Sequence, residues 1–167
     1  MTTPAAPRCG DIFPGITLPD VDGSSVSLES YRGRKNLVVV FAGYEGGEGP
    51  IAGLLEELDA RAEEFAAEVA QVLVVVPSRP SALGQRTRWA FPVLVDDDAR
   101  IHRKVGATDA AGKAAPAVFV TDRFREIYAA YLAGPGSAPL GATEILDWLM
   151  FINIQCPECG VSEWPTP

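Results

Sequence analysis

A Cys-Pro-Glu-Cys-Gly cluster runs from Cys156 to Gly160, and the only other cysteine, Cys9, stands near the opposite end of the chain. A Cys-x-x-Cys pair supports two chemistries. Its thiols can cycle between dithiol and disulfide, or its thiolates can hold a metal. The redox reading needs no partner chain, although the carboxylate of Glu158 disfavours a thiolate beside it. The metal reading draws on the proline and glycine, which shape a knuckle that aims both sulfurs at one ion. A closed zinc site takes four ligands and this chain offers Cys156 and Cys159 alone, so a twofold dimer would have to complete it. An inert structural tail is the third reading.

Other residue types invite weighing. The run Gly43-Tyr-Glu-Gly-Gly-Glu-Gly-Pro50 has the look of a phosphate cradle between strand and helix. It lacks the lysine and hydroxyl residue of that motif, and Glu45 and Glu48 repel an anion. Tyr44 with those glutamates could instead take a small polar ligand, the plain alternative being solvated loop residues. His102, the only histidine, reads as a solvated helix residue beside Arg103 and Lys104. Asp96, Asp97 and Asp98 read as turn and cap residues rather than a cation site. Trp89, Trp148 and Trp164 read as packing, and Cys9 as an inert thiol.

Composition narrows the function classes. The 167 residues are 47% hydrophobic, enough for a core that needs no disulfide framework. The net charge of −8 argues against nucleic acid and against anionic membrane surfaces as partners. The opening residues have no basic segment followed by an apolar run, and no apolar stretch reaches spanning length. The expectation is therefore a cytoplasmic protein without a membrane partner.

The elements that must position these residues follow from periodicity. Residues 1–10 form a loose arm and Ile12 to Leu18 an extended lead-in. Asp20 to Gly23 is turn chemistry, Ser24 to Leu28 a short strand, and Ser27 to Ser30 starts a helical turn that ends near Gly33. The β-branched runs Leu37–Phe41 and Val72–Val76 suit strands buried on both faces. Between them Ile51, Leu54, Leu55, Leu58, Ala62, Phe65 and Val69 fall at helical spacing, opened by Pro50. A short helix is expected over Pro80 to Trp89, then a strand over Phe91 to Val95. A helix over Ala99 to Val105 follows, stopped by Gly106. Ala117–Thr121 and Ile127–Leu132 read as a hairpin, and Pro139–Ile154 as a closing helix. This order predicts one α/β domain, residues 11–154, with a central mixed sheet, and a tail over 155–167 that carries the cysteine pair.

That order resembles the thioredoxin fold, in its redoxin branch of alkyl hydroperoxide reductase C and thiol-specific antioxidant proteins, the peroxiredoxin-like group. The resemblance rests on Gly10-Asp-Ile-Phe-Pro-Gly-Ile-Thr-Leu-Pro19, on Asp22-Gly23 with Val26 to Leu28 and Tyr31 to Gly33, and on the strand Leu37–Phe41. It continues through Phe91-Pro-Val-Leu-Val-Asp96 and Pro116-Ala-Val-Phe-Val-Thr-Asp122. It implies a thioredoxin-like sheet flanked by helices and a thiol site in the loop after Leu37–Phe41. In that family the loop looks like Pro-x-x-x-Thr-x-x-Cys, with the nucleophile opening the helix. Here the loop, Gly43, Tyr44, Glu45 and on to Gly49 and Pro50, has no Cys, Thr or Ser, and Gly49 falls where the nucleophile should be. The family arginine near the fifth strand is also missing, with Pro116 in its place. The resemblance implies that Pro116 is a cis proline facing the loop. The chain is thus expected to be a divergent redoxin and no standard peroxidase. A thioredoxin-type reductant or a protein disulfide is the expected partner, and Cys156, first of its pair, the attacking thiol. The alternative is a non-catalytic binding or structural protein that holds zinc across a homodimer.

Overall fold

The computed structural model describes residues 5–43, 50–78 and 89–155. Among these, β1 (Thr17–Pro19) pairs antiparallel with β2 (Ser25–Ser27) in a small outer sheet, and a 3₁₀ turn follows over Leu28–Tyr31. The main sheet comprises β3 (Asn36–Phe41), β4 (Ala70–Val76), β5 (Val93–Val95), β6 (Ala117–Thr121) and β7 (Ile127–Leu132), in the spatial order β5-β4-β3-β6-β7. The first three run parallel, and β6 and β7 join antiparallel, so the sheet is mixed. Helices α1 (Pro50–Ala60), α2 (Ala62–Ala67), α3 (Arg100–Val105) and α4 (Ala142–Ile154) flank it.

The β-branched runs are explained by the two covered faces. All six residues of β3 are buried. Val38 and Val40 point into one core with Leu55, Leu58 and Phe65 of α1 and α2 and with Ile145 and Leu149 of α4. Leu37, Val39 and Phe41 point into the other, with Phe13, Leu28, Phe119, Ile101 and Val105. A strand that meets apolar packing on both sides cannot alternate with polar residues, which is why its sequence reads as a continuous hydrophobic run.

Three expectations change. The single helix expected from Ile51 to Val69 is two helices that break at Arg61, whose φ of −106° leaves the helical region. Arg61 pairs there with Glu64 (2.8 and 2.9 Å) and donates to Thr143 on α4 (2.9 Å), so the break is tied to the closing helix. Val69, expected on the apolar face, lies in the left-handed region (φ 55°) and is exposed, because the chain must turn sharply into β4. His102, expected in solvent, is fully buried. The helix expected over Pro80 to Trp89 falls almost entirely on residues outside those described. No described helix is long and apolar enough to cross a membrane.

Candidate functional site

In an open α/β sheet a ligand or reactive loop belongs at the carboxyl ends of the parallel strands. Here that edge is the exit of β3 at Phe41, Ala42 and Gly43. The described chain resumes at α1, so residues 44–49 span strand to helix. The structure builds the floor of this edge in detail.

Ala42 is held from both sides of its peptide. Its N–H donates to the Val75 carbonyl at 2.9 Å, which extends the β3–β4 ladder by one step. Its carbonyl faces the Nε2 of His102 at 2.9 Å. The other ring nitrogen of His102, Nδ1, lies 2.7 Å from Asp96 Oδ2. Asp96 sits just beyond β5 and also accepts the main-chain N–H groups of Ile101 (3.0 Å) and His102 (2.9 Å), so it caps α3 from inside the protein. Asp98 adds a second, exposed cap to Arg100 N–H at 3.1 Å. The cap reading of the aspartates is therefore observed at two of the three. What the sequence did not show is that Asp96 also receives the histidine ring.

The electrostatics of this pair follow from the contacts. Burial by itself would raise the Asp96 carboxyl pKa. The hydrogen bond from the His102 side chain, the N–H groups of His102 and Ile101 and the charge of the ring outweigh burial, and they hold the carboxyl below the usual carboxylate range. Asp96 is thus a carboxylate, which only accepts, and the Ala42 carbonyl only accepts as well. The Nε2–H of His102 therefore donates to the Ala42 carbonyl, and Nδ1 meets the Asp96 carboxylate. The result is a buried hydrogen-bonded chain whose far end grips Ala42, the first residue after β3. The edge of Phe41 also packs against the imidazole (centroids 5.1 Å apart, planes at 83°). The signal missed in the sequence was spacing: Asp96 and His102 are six residues apart, across a strand-to-helix turn that brings them face to face.

Gly43 lies against the segment that leads into β6. A Cβ there would approach the Ala114 carbonyl oxygen and Pro116 Cδ, each at 3.2 Å. Gly43→Ala is therefore expected to push the start of the loop away from Pro116 and to cost about 1–3 kcal/mol as local overpacking. Urea unfolding with an unchanged m-value would check it. Pro116 itself corrects an expectation. It lies beside Gly43, but no described peptide bond is cis, so Ala115–Pro116 is trans. The backbone there is held in place by Ala115 N–H on Ala107 O (2.9 Å) and Ala133 N–H on Pro116 O (3.0 Å), and the ordinary trans preference of the bond then prevails.

Of the other expected site residues, Tyr44, Glu45, Glu48, Gly49, Cys156 and Cys159 lie outside the described residues, as does Trp164. Pro50 opens α1, as its sequence position suggested. Among the described residues no group of three or more His, Cys, Asp or Glu side chains could hold a metal. Cys9 is exposed and free.

A five-stranded mixed sheet with helices on both faces, and a β3 exit whose Gly43 lies beside the β6 lead-in, defines a thioredoxin-like domain of the peroxiredoxin kind. The chain belongs to the AhpC/TSA family, whose model matches residues 9–130. Two curated proteins of Mycobacterium tuberculosis, from strains CDC 1551/Oshkosh and ATCC 25618/H37Rv, carry peroxiredoxin names and are each 32% identical to it over 103 residues. The match covers 59% of this chain and 63% of the length of each relative. Among solved structures, AhpC of Mycobacterium bovis superposes with a TM-score of 0.72 at 21% identity, over 96% of this chain and 99% of that one. The reduced 2-Cys peroxiredoxin of Plasmodium vivax reaches 0.74 at 16% identity, over 87% and 81%. At those identities the structural matches speak for the fold.

Proposed function

We propose that this protein is a thiol–disulfide oxidoreductase of the AhpC/TSA family that works through Cys156 and Cys159, and that the loop after β3 is not its nucleophile site. One observation carries the reading. The chain keeps the family fold, yet residues 42–50 contain no Cys, Ser or Thr, and the remaining Cys-x-x-Cys follows α4. Thiol exchange needs a thiolate, and the thiolates must come from the cysteines present. Cys156 attacks a substrate disulfide and forms a mixed disulfide. Cys159 then displaces the substrate thiolate and leaves Cys156–Cys159 oxidised and the substrate reduced. A dithiol reductant of the thioredoxin type restores the pair.

The test is reduction of insulin or glutathione disulfide by the full chain, with a regenerating dithiol. Cys156→Ser is expected to abolish it, while peroxide consumption is absent in both proteins. Peroxide consumption that survives Cys156→Ser would sink the proposal.

The Pro–Gly framing of the pair favours a second reading, a zinc knuckle completed by two chains. It requires roughly half an equivalent of zinc per chain in protein purified without chelator, and loss of both metal and dimer in Cys156→Ser. A cytoplasmic setting, where free thiols persist, suits either reading.

A further inference from the structure

The chain carries a net charge of −8, yet five of its 14 lysines and arginines, Arg32, Arg34, Lys35, Arg123 and Arg125, come from two short segments. The fold joins those segments at one corner. Leu37 of β3 pairs with Thr121 of β6, so the β6–β7 turn lies beside the entry of β3, at the end of the sheet away from Ala42 and Gly43. Gly33 N–H donates to the Arg123 carbonyl at 2.8 Å and fastens the stretch after the 3₁₀ turn to the hairpin.

Both backbones are fixed. In the hairpin, Asp122 Oδ1 accepts the N–H groups of Phe124 (2.8 Å) and Glu126 (2.9 Å). Arg125 N–H donates to the Asp122 carbonyl (3.1 Å), with Arg125 itself in the left-handed region (φ 71°). In the other segment the N–H groups of Arg34 and Lys35 both donate to the Tyr31 carbonyl at 3.0 Å. The turn holds Phe124 at the surface, 50% exposed, with the Arg123 guanidinium 5.4 Å from its ring centroid. Gly33 (φ 71°) lies beside that ring, where a Cβ would come 4.0 Å from Phe124 Cε1.

The carboxylates here do not cancel the cations. Within residues 29–35 and 122–126, five cations stand against Glu29, Asp122 and Glu126. Glu29 is shared between Arg32 (3.1 Å) and Arg125 (3.3 Å). Arg125 Nε and Nη1 are buried and find no hydrogen-bond partner among the described residues. Arg34, Lys35 and Arg123 make no ion pair among the described residues, and Arg34 and Arg123 are exposed. A rigid, net-positive corner with an exposed ring under a guanidinium has the residue types that anchor protein interfaces.

We propose that this corner docks an acidic segment of a partner protein, one whose carboxylates flank an apolar side chain. The carboxylates meet Arg34, Lys35 and Arg123, and the apolar side chain lies on the Phe124 ring. A short segment engages the corner alone. A nucleic acid or an anionic lipid surface extends beyond it, onto a molecule whose net charge of −8 repels it. The inference goes beyond the thiol reading and does not rest on it.

The test is fluorescence anisotropy of the full chain with a dye-labelled peptide in which glutamates flank a leucine. At about 50 mM salt the peptide is expected to bind saturably, and Arg34→Glu with Arg123→Glu to weaken binding about tenfold or more. Arg34→Gln with Arg123→Gln, which adds no negative charge, is expected to weaken it about fivefold, and Phe124→Ala about threefold. Arg100→Glu with Lys113→Glu alters the net charge equally at exposed positions elsewhere and is expected to stay within about twofold of the parent. Absence of saturable binding to the parent, or equal losses in the two charge-reversed pairs, overturns the inference. So does tighter binding of a single-stranded oligonucleotide or of phosphatidylserine vesicles that Arg34→Glu with Arg123→Glu abolishes, since the corner would then take phosphate.

Discussion

His102→Ala is expected to destabilise the protein by about 2–4 kcal/mol, from the cavity it leaves and the buried acceptors it strands. The side chain is fully buried, and its loss strands two acceptors at once. Asp96 keeps its main-chain donors but loses its ring partner, and the Ala42 carbonyl loses its ring donor. For a chain of this length that corresponds to a fall in Tm on the order of 10 °C. The double variant Asp96→Asn with His102→Ala is expected to cost less than the sum of the singles, because the second change removes the charge that the first left unpaired. A His102→Ala protein that unfolds within 1 kcal/mol of the parent would show that these two contacts do not hold the edge together.

The same pair sets an acid dependence. The Asp96 carboxyl pKa is lower in the folded chain than in the unfolded one. Its stabilisation is therefore complete above the ordinary aspartate value of about 3.9, and it is lost as pH falls through the folded value. Stability of the parent measured from neutral pH downward should drop below roughly pH 4, and Asp96→Asn should flatten that part of the curve.

Phe119→Ala is expected to cost about 3–5 kcal/mol, from lost transfer energy and the cavity left behind. Phe119 is completely buried at the middle of β6. Its ring lies 5.0 Å from that of Phe13 and 6.0 Å from that of Phe41, the latter edge-on at 87°. The three rings join the N-terminal lead-in, β6 and the end of β3, and Phe41 in turn touches His102. The loss should therefore spread beyond stability. Hydrogen exchange at the Gly10 and Ile127 amides, which anchor the arm carrying Cys9, should speed up more in Phe119→Ala than exchange in β4. Uniform acceleration across the sheet would argue that the ring cluster does not tie the arm down. Phe119→Leu keeps much of the volume and should recover most of the loss.

How far the sequence could be read differs by feature. The strands β3, β4, β6 and β7 were legible because their apolar runs record burial on both sheet faces, or alternation on one. Gly106 and Pro50 marked helix ends through their own backbone chemistry, and Gly106 does sit in the left-handed region (φ 75°). The break at Arg61 was not legible, since the apolar spacing runs through it and the cause is a pairing with Glu64 and with Thr143 on a helix distant in sequence. His102 was misread for a related reason. Its neighbours Arg103 and Lys104 are exposed, and the six-residue spacing that lets Asp96 meet His102 across the strand-to-helix turn shows only once the turn is folded.

The amino-acid sequence alone determined the family fold and the absence of a thiol in the loop after β3, because burial patterns and residue types are local properties of the chain. It also showed that Cys156 and Cys159 are the only cysteines spaced as a pair. Tertiary structure alone decided the Asp96–His102–Ala42 contact, the trans bond before Pro116, and the contact of the Cys9 thiol with the Tyr128 carbonyl. Each of these depends on groups separated along the chain, 119 residues in the case of Cys9 and Tyr128, whose meeting is set by sheet register and packing.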